Sequence, residues 1–397
     1  MSGPTPRRLW QYVTQRLGLA AYFEVPGDGR QAPQIPAQAL LWGLVIGRVL
    51  REDAFAGVEA LVRSAARRAL RVARGFSDDT LAYFTERLDP GPTRAALVGV
   101  LRRAKRNKAF GGEGWIGLAV DGTTTTCCAK KRCRFCRPLP NEAGEILGYR
   151  HHVVLISVVG TGLPVPCDVE PYGPGDSEEA AAQRLRRRVV RHLGPRFADY
   201  VVADGKFATA PFLHTLGELG LRAVIRLKDN LPTLLEAAQQ RYAGQLPTET
   251  FAEERDHVEV GDAGDFAPWS ALRWETVRVL RYRQTKPAGR VLEAMWLADW
   301  PVREVPSRAL YRMAKSRWEV ENEGFNEAKT RHGMEHICHH NANSLLVGWL
   351  ILLLAIAIER LYRLRDLHRG LHPRRASIAL VRQFRLSLGR PLIVDTS

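Results

Sequence analysis

Three features are scarce in this sequence, and each scarcity excludes a class of protein. Only six cysteines occur in 397 residues, and four of them crowd between Cys127 and Cys136, which excludes a disulfide framework spread over the chain. Residues 1–16 have no apolar stretch between their basic residues, so no signal peptide is expected. The longest uncharged apolar run, 345–358, is too short to span a bilayer comfortably, so we expect a buried helix, no membrane partner and a cytoplasmic protein.

Acidic residues are also in deficit, and this predicts a polyanionic partner. The formal net charge is +16 and the sequence pI is about 10.0. Arginine outnumbers lysine, which suits bidentate contacts to phosphate. A high-GC coding bias is an alternative explanation of that ratio, but it does not explain the excess of base over acid. Nucleic acid is therefore the expected partner.

Residues 1–110 form a helical, basic N-terminal region that we expect to bind DNA. The stretch 58–74 has the pattern of one amphipathic helix whose arginines would form a row on one face, namely Arg63, Arg67, Arg71 and Arg74. A solvated surface is the alternative interpretation of that row. No clear helix-turn-helix signature is present, so the mode of DNA recognition stays open.

From residue 111 the pattern changes to strands that alternate with helices. Strands are predicted at 116–120, 152–159, 164–170, 199–203 and 223–228, with helices at 177–193 and 208–219. This order is typical of an α/β fold with a ribonuclease H-like mixed sheet flanked by helices. The predicted domain comprises a first part at 111–230, a β-rich insertion at 231–306 and a helical remainder at 307–366. A basic tail at 367–397 follows, as a DNA-binding or dimer-forming segment or a solvated surface, and carries Arg374, Arg375, Arg382, Arg385 and Arg390.

Three acidic residues are the candidate catalytic site. Asp121 and Asp204 each end a short apolar run and precede a glycine, and the predicted topology places these strand ends side by side. Glu321 lies in a later helical segment. Converging carboxylates can hold two divalent ions, Mg²⁺ or Mn²⁺, which promote phosphodiester chemistry. Each acid alone has a plainer interpretation, because Asp-Gly is a common turn and Arg317 four residues before Glu321 is a common helix-surface pair.

Three segments carry a resemblance to a known family. Val120-Asp121-Gly122-Thr123, Val202-Ala203-Asp204-Gly205-Lys206-Phe207-Ala208 and the stretch from Arg317 to Lys329 resemble those of bacterial insertion-sequence transposases of the IS-four group, which have a DDE catalytic domain. The resemblance implies a ribonuclease H-like fold, metal-bound Asp121, Asp204 and Glu321 as the catalytic triad, and DNA contacts by Arg317 and Lys329. It also implies double-stranded DNA partners, both terminal inverted repeats and target DNA, handled by a homodimer.

The sequence departs from the family pattern at two places. The tyrosine expected three residues before Arg317 is Ala314, and Tyr311 lies three residues too early. Lys329 is one residue farther from Glu321 than the usual spacing. The second departure, with the acids beside Glu321, makes Glu323 a rival for the third catalytic carboxylate.

A second cluster follows Asp121 directly. The stretch 127–136 contains four cysteines, and His151 and His152 open the next predicted strand. Cys133 and Cys136 are candidate ligands of a structural Zn²⁺, with another cysteine and a histidine nearby; free thiols are the alternative. Basic side chains fill the same loop and predict a DNA contact, among them Lys130, Lys131 and Arg132.

The expected function is DNA transposition, by metal-dependent cleavage at element ends and strand transfer into target DNA. Two alternatives are a stand-alone ribonuclease H-like nuclease and a catalytically silent DNA-binding protein derived from a transposase. Strand joining distinguishes a transposase from a nuclease, and metal-dependent cleavage distinguishes both of these from a silent DNA-binding protein.

Overall fold

The N-terminal region is a group of helices. The computed structural model describes residues 5–24, 27–111, 114–367 and 376–389. Here the helices are α1 (Pro6–Gln11), α2 (Ala20–Phe23), α3 (Ala37–Val49), α4 (Phe55–Arg63), α5 (Ala66–Ala69), α6 (Asp78–Arg87) and α7 (Pro90–Arg106), with a π-helical turn at Tyr12–Arg16. Ser77 caps α6 by accepting a hydrogen bond from the Thr80 N–H, and Asp78 and Asp79 lie in its first turn.

One prediction for this region is wrong. The stretch 58–74 is not one helix, because α4 ends at Arg63 and Arg71 adopts a positive φ of 54° that no right-handed helix allows. The four arginines therefore do not form one row. The next helix, α7, opens at Pro90, since proline at the first position lacks only an N–H that would be unpaired there, and Asp89 caps the helix.

The centre of the molecule is one ten-stranded sheet. Its strands are β1 (Gly117–Cys128), β2 (Arg137–Pro140), β3 (Ile146–Val159), β4 (Val165–Tyr172), β5 (Tyr200–Ala203), β6 (Arg222–Leu227), β7 (Glu249–Glu253), β8 (Asp256–Phe266), β9 (Val277–Thr285) and β10 (Val291–Ala298). The order is β2-β3-β1-β5-β6-β10-β9-β8-β7, and β4 pairs with the second half of β3. The mixed α/β fold with helices flanking the sheet is thereby confirmed.

The register of the parallel strands β1, β5 and β6 places the residues after Val120 and Ala203 at the same end of these strands. This end is called the sheet edge below. β1 pairs with β5 so that Val120 lies opposite Ala203, and β5 pairs with β6 so that Ala203 lies opposite Ile225. The residues of β1 and β5 that pair with each other, Gly117–Val120 and Tyr200–Ala203, are all buried, and so is Ile225 of β6. The residues that follow Val120 and Ala203 therefore emerge at the same edge, about 5 Å apart as neighbouring strands are.

The β-rich segment after β6 extends this sheet. Helix α10 (Pro232–Ala243) precedes strands β7 to β10, and β10 pairs antiparallel with β6 from Met295 opposite Leu227 to Ala298 opposite Val224. The segment lies within the predicted insertion at 231–306. The sheet continues from β6 into this segment without interruption. The predicted domain boundaries stay predictions.

Helices cover the faces of the sheet. They are α8 (Glu178–Leu193), α9 (Ala210–Glu218), α11 (Ser307–Lys315), α12 (Arg317–Glu319), α13 (Glu327–His332) and α14 (Ala342–Leu361), and a π-helical segment at Val320–Asn326 joins α12 to α13. The span 342–365 has the length and apolarity to cross a membrane, but 89% of it is buried inside the protein, as in a core helix. The apolar run therefore forms a buried helix, as predicted.

The described part of the C-terminal tail packs on the N-terminal helices. Helix α15 (Ser377–Ser387) buries Leu380 and Phe384, and the Arg385 guanidinium donates to the carbonyl of Leu50 and to Glu52. This helix is thus part of the core, and the solvated-surface interpretation is wrong for Arg385. The predicted basic positions Arg374, Arg375 and Arg390 lie outside the described residues.

Candidate active site at the sheet edge

Asp121 and Asp204 lie together at the edge that β1, β5 and β6 share. Asp121 lies in β1 directly after Val120, and Asp204 follows the last residue of β5. Asp121 is 8% exposed, and its carboxylate accepts a hydrogen bond from the Gly122 N–H. The buried strands thus hold two carboxylates side by side with little freedom to move.

Glu321 is linked to Asp121 through a guanidinium. Arg317, four residues earlier, places its Nη1 2.7 Å from Glu321 Oε1 and 3.5 Å from Asp121 Oδ2. Arg317 is buried, so this bridge lies in a medium where charge interactions are strong. The structure therefore brings the third predicted acid to the first through one shared cation.

Glu321 lies in a π-helical segment that packs closely on the sheet. A Cβ at Gly324 would lie 3.3 Å from the Leu155 side chain of β3, so the glycine lets this helix approach the strand. Wider π-helical turns commonly mark functional positions in helices. The stretch from Arg317 to Lys329 is helical throughout, and Ser316 separates α12 from α11.

Two lysines neutralise the aspartates. Lys206 Nζ lies 3.4 Å from Asp121 Oδ1, and Lys228 Nζ lies 2.8 Å from Asp204 Oδ1. Burial raises the pKa of Asp121 above its ordinary value, although the Lys206 and Arg317 charges oppose this. Burial also acts to raise the pKa of Asp204, but the hydrogen bond and charge of Lys228 outweigh it and lower that pKa. The two aspartates thus have different electrostatic surroundings.

Glu178 is a fourth carboxylate at this edge, and the sequence did not reveal it. It opens α8, and its Oε1 lies 2.6 Å from the same Lys206 ammonium that contacts Asp121. A Cβ at Gly122 would lie only 2.0 Å from Glu178 Oε1, so only glycine at 122 leaves room for this carboxylate. An acid in the first turn of a helix normally signals capping, which is why its position gave no functional signal.

The neighbouring acids of the same helix point elsewhere. Glu319 Oε2 accepts a hydrogen bond from the Gly160 N–H at 3.1 Å, at the far end of β3. Glu323 is exposed, and its carbonyl accepts a hydrogen bond from Arg360. Among the three acids at 319, 321 and 323, Glu321 is the one for which a contact to the Arg317 bridge is seen. The geometry therefore favours Glu321 over its rival Glu323.

The other predicted DNA-contacting residues have two different settings. Lys329 is held close to β1, donating to Thr123 Oγ1 at 2.8 Å and to the Thr124 carbonyl at 2.7 Å. Lys130, Lys131 and Arg132 are exposed in the loop between β1 and β2. Tyr311, considered because position 314 is alanine, is buried and donates to Glu253, away from the aspartates.

A cysteine–histidine group lies beside this edge. It consists of Cys133, Cys136, His151 and His340, whose four ligand atoms all lie within 4.8 Å of one another. Cys133 and Cys136 were predicted from the sequence, with His151 among the nearby histidines. His340 was not, because it is remote in sequence and precedes α14.

A family comparison identifies the family to which this chain belongs. The model of the transposase DDE domain matches residues 116–358, more than half of the chain. The chain belongs to the DDE transposase family. The matched range contains Asp121, Asp204, Glu321 and the four residues of the cysteine–histidine group, and membership supports DNA transposase as the general function.

Two further comparisons add context. The sequence matches no curated protein at a significant level. Among solved structures, this DDE protein is similar to the cryo-EM structure of the piggyBac transposase synaptic complex with hairpin DNA, at 13% identity and a TM-score of 0.47, over 97% of this chain and 80% of that chain.

The carboxylates at the edge fit a divalent metal. The family generally uses such ions. Hard divalent cations prefer carboxylate oxygens, and Asp121, Asp204, Glu321 and Glu178 supply them on rigid elements. Each of the four contacts an ammonium or guanidinium group, which supplies the positive charge that a metal ion would otherwise supply at the edge. The residues present therefore suit a metal-dependent phosphodiester chemistry.

Proposed function

We propose that this protein is an insertion-sequence transposase of the IS-four group, which cleaves DNA at the ends of its element and joins those ends to target DNA. The observation that carries the proposal is the register of β1 and β5, which puts Asp121 and Asp204 at one edge with Glu321 linked to Asp121 by Arg317. Its partners are double-stranded terminal repeats and target DNA, bound by a homodimer in the cytoplasm of a prokaryote.

Asp121, Asp204 and Glu321 are the proposed ligands of catalytic Mg²⁺ or Mn²⁺. Bound there, such ions activate the attacking oxygen and stabilise the leaving one. Arg317 orients Glu321 and keeps it next to Asp121, because its guanidinium is buried and shared by both. Lys206 and Lys228 balance the aspartates, and their exposed stems allow the ammonium groups to turn toward DNA phosphate. We further propose that the cysteine–histidine group holds a structural Zn²⁺.

The decisive test is cleavage and joining on a duplex that carries the element's own end. Wild type is incubated with Mg²⁺, with Mn²⁺ and with EDTA, beside Asp121→Asn, Asp204→Asn and Glu321→Gln. We expect metal-dependent cutting and strand joining by wild type and neither reaction by the three variants. Fluorescence anisotropy should show that the variants still bind the duplex, since the substitutions remove acids and not DNA-binding bases.

Glu323→Gln is the matched control. It removes the same charge from the same helix, but from an exposed side chain with no contact to the Arg317 bridge. We expect it to cut and join like wild type. Loss of cleavage in Glu323→Gln together with full activity in Glu321→Gln would move the third acid to position 323. Cutting without joining would support the nuclease alternative, and binding without chemistry the silent DNA-binding protein.

A further inference from the structure

The cysteine–histidine group is assembled from three separate parts of the chain. Cys133 and Cys136 lie in the loop between β1 and β2, His151 lies in β3, and His340 lies in the connection just before α14. Cys136 and His151 are both fully buried. The thiols and imidazoles converge although 204 residues separate Cys136 from His340.

The distances match the edges of a zinc tetrahedron. Zinc bonds of about 2.3 Å to sulfur and about 2.0 Å to nitrogen place two sulfurs about 3.8 Å apart and a sulfur and a nitrogen about 3.5 Å apart. Cys133 Sγ and Cys136 Sγ are separated by 3.7 Å, and His151 Nε2 lies 3.3 Å and 3.5 Å from them. His340 Nε2 lies 3.2 Å from Cys136 Sγ. The two remaining edges both involve His340 and are no longer than 4.8 Å.

The charge of the surroundings also suits this ligand set. The loop is rich in basic side chains, with Lys130, Lys131, Arg132, Arg134 and Arg137 around the two thiols. Two thiolates and two neutral imidazoles around Zn²⁺ have no net charge, so a filled site adds no repulsion to this basic loop.

The connection that carries His340 contacts both the sheet and the N-terminal helices. The Thr126 hydroxyl of β1 donates to the Glu335 carbonyl at 2.6 Å, and His339 Nε2 lies 2.6 Å from Glu86 of α6. The Asn343 side-chain amide donates to three carbonyls around the end of α6, including that of Leu88 at 2.8 Å. The segment 333–343 is therefore the joint between the N-terminal helices and the second half of β1.

We infer that Cys133, Cys136, His151 and His340 together bind one Zn²⁺, and that this ion clamps the basic loop and β3 to the segment 333–343. The clamp sets the position of the loop that carries Lys130 to Arg137. It also supports the second half of β1, where Lys329 contacts Thr123 and Thr124 two and three residues beyond Asp121. The inference concerns metal content and local structure, so it stands or falls separately from the cleavage reaction.

The first experiment measures metal in the full-length protein. Protein produced with added zinc is analysed for metal content by mass spectrometry, and a Co²⁺-substituted sample is examined for the visible absorption of a tetrahedral thiolate site. We expect one zinc per chain and a tetrahedral Co²⁺ spectrum. Wild type that contains no zinc under these conditions, or that has a disulfide between Cys133 and Cys136, would overturn the site.

Variants then identify the ligands. Cys136→Ser should contain no zinc, and His340→Gln should contain clearly less than the one zinc per chain of wild type. Cys127→Ser is the matched control, because Cys127 lies in the same region but is exposed and outside the group, and it should keep one zinc per chain. Full zinc retention by His340→Gln would remove His340 from the set even if Cys136→Ser failed to fold.

Limited proteolysis tests the clamp itself. Trypsin cleaves after lysine and arginine unless proline follows, so the loop offers four sites, Lys130, Lys131, Arg132 and Arg134, because Arg137 precedes Pro138. Removing zinc from the wild-type protein with a chelator should speed cleavage in this loop at least several-fold and lower the melting temperature. Equal trypsin sensitivity and an equal melting temperature with and without zinc would show that the ion clamps nothing. None of these readouts uses DNA, so a failure of the transposase proposal would leave them unchanged.

Discussion

Glu319 gives a prediction that distinguishes a structural acid from the proposed catalytic acid two residues later. Burial raises the pKa of Glu319 from the ordinary 4.5 to about 7, against the opposing hydrogen bond from the Gly160 N–H, and the nearby Glu323 charge adds to the rise. Its carboxyl group therefore holds a proton in the folded protein at pH values where the unfolded chain has lost it. We expect this acid to make the stability of the protein depend on pH.

The sign and size of the effect follow from proton linkage. A pKa raised on folding contributes stability below the unfolded value of 4.5, and that contribution is lost as pH rises to about 7. The full difference corresponds to roughly 3 kcal/mol at most, and since Glu319 is only partly buried we expect on the order of 2 kcal/mol. About a quarter of the loss is already present near pH 5, because the unfolded carboxyl is largely ionised there.

The assay is the melting temperature of Glu319→Gln beside wild type at about pH 5 and about pH 8. Glutamine keeps an acceptor for the Gly160 N–H and carries no charge, so it removes the cost of ionisation alone. For a chain of this length, 2 kcal/mol corresponds to a shift of about 2–3 °C. We expect the variant to melt that much above wild type near pH 8 and less than 1 °C above it near pH 5, with cleavage unaffected.

Glu236→Gln is the control, because it removes the same charge from an exposed position in α10. Surface changes of this kind normally alter stability by less than about 0.5 kcal/mol. A Glu319→Gln variant that melts below wild type near pH 8, or that shifts equally at both pH values, would refute the reasoning about the buried carboxyl.

Two further predictions concern the sheet edge and the basic loop. Gly122→Ala places a Cβ 2.0 Å from Glu178 Oε1 and must displace that carboxylate from Lys206. We expect cleavage to fall, while fluorescence anisotropy shows unchanged DNA binding. Gly217→Ala is the control, because nothing lies within 4 Å of a Cβ at that position. Wild-type cleavage by Gly122→Ala would show that Glu178 has no role at the edge. Replacing Lys130, Lys131 and Arg132 by glutamine should weaken DNA binding and reduce the slope of log affinity against log salt by up to about 3. An unchanged slope would place the DNA away from this loop.

The parts of the site that the sequence predicted are those set by strand order. Buried apolar runs that end in Asp-Gly identify β1 and β5, and the order of strands and helices makes them parallel neighbours. Asp121 and Asp204 were therefore predictable as a pair. Their roles as metal ligands, like that of Glu321, stay predictions that the cleavage assay tests.

The parts that the sequence did not predict depend on contacts between remote residues. Glu178 and His340 reach their sites only after α8 and α14 have packed on the sheet. Hydrophobic periodicity also failed at 58–74, since a pattern of apolar residues cannot show that Arg71 adopts a left-handed backbone.

The cations at the sheet edge divide into a fixed one and two exchangeable ones. The Arg317 side chain is only 8% exposed and is held by two carboxylates, so it has little freedom to leave Glu321. The Lys206 and Lys228 side chains are 43% and 46% exposed, and each has a flexible stem that ends at the surface. A divalent ion held by Asp121 and Asp204 would supply the positive charge that the two ammonium groups supply now. Lys206 and Lys228 would then be available for contacts with DNA phosphates, so under the proposed function metal binding and DNA binding would favour each other.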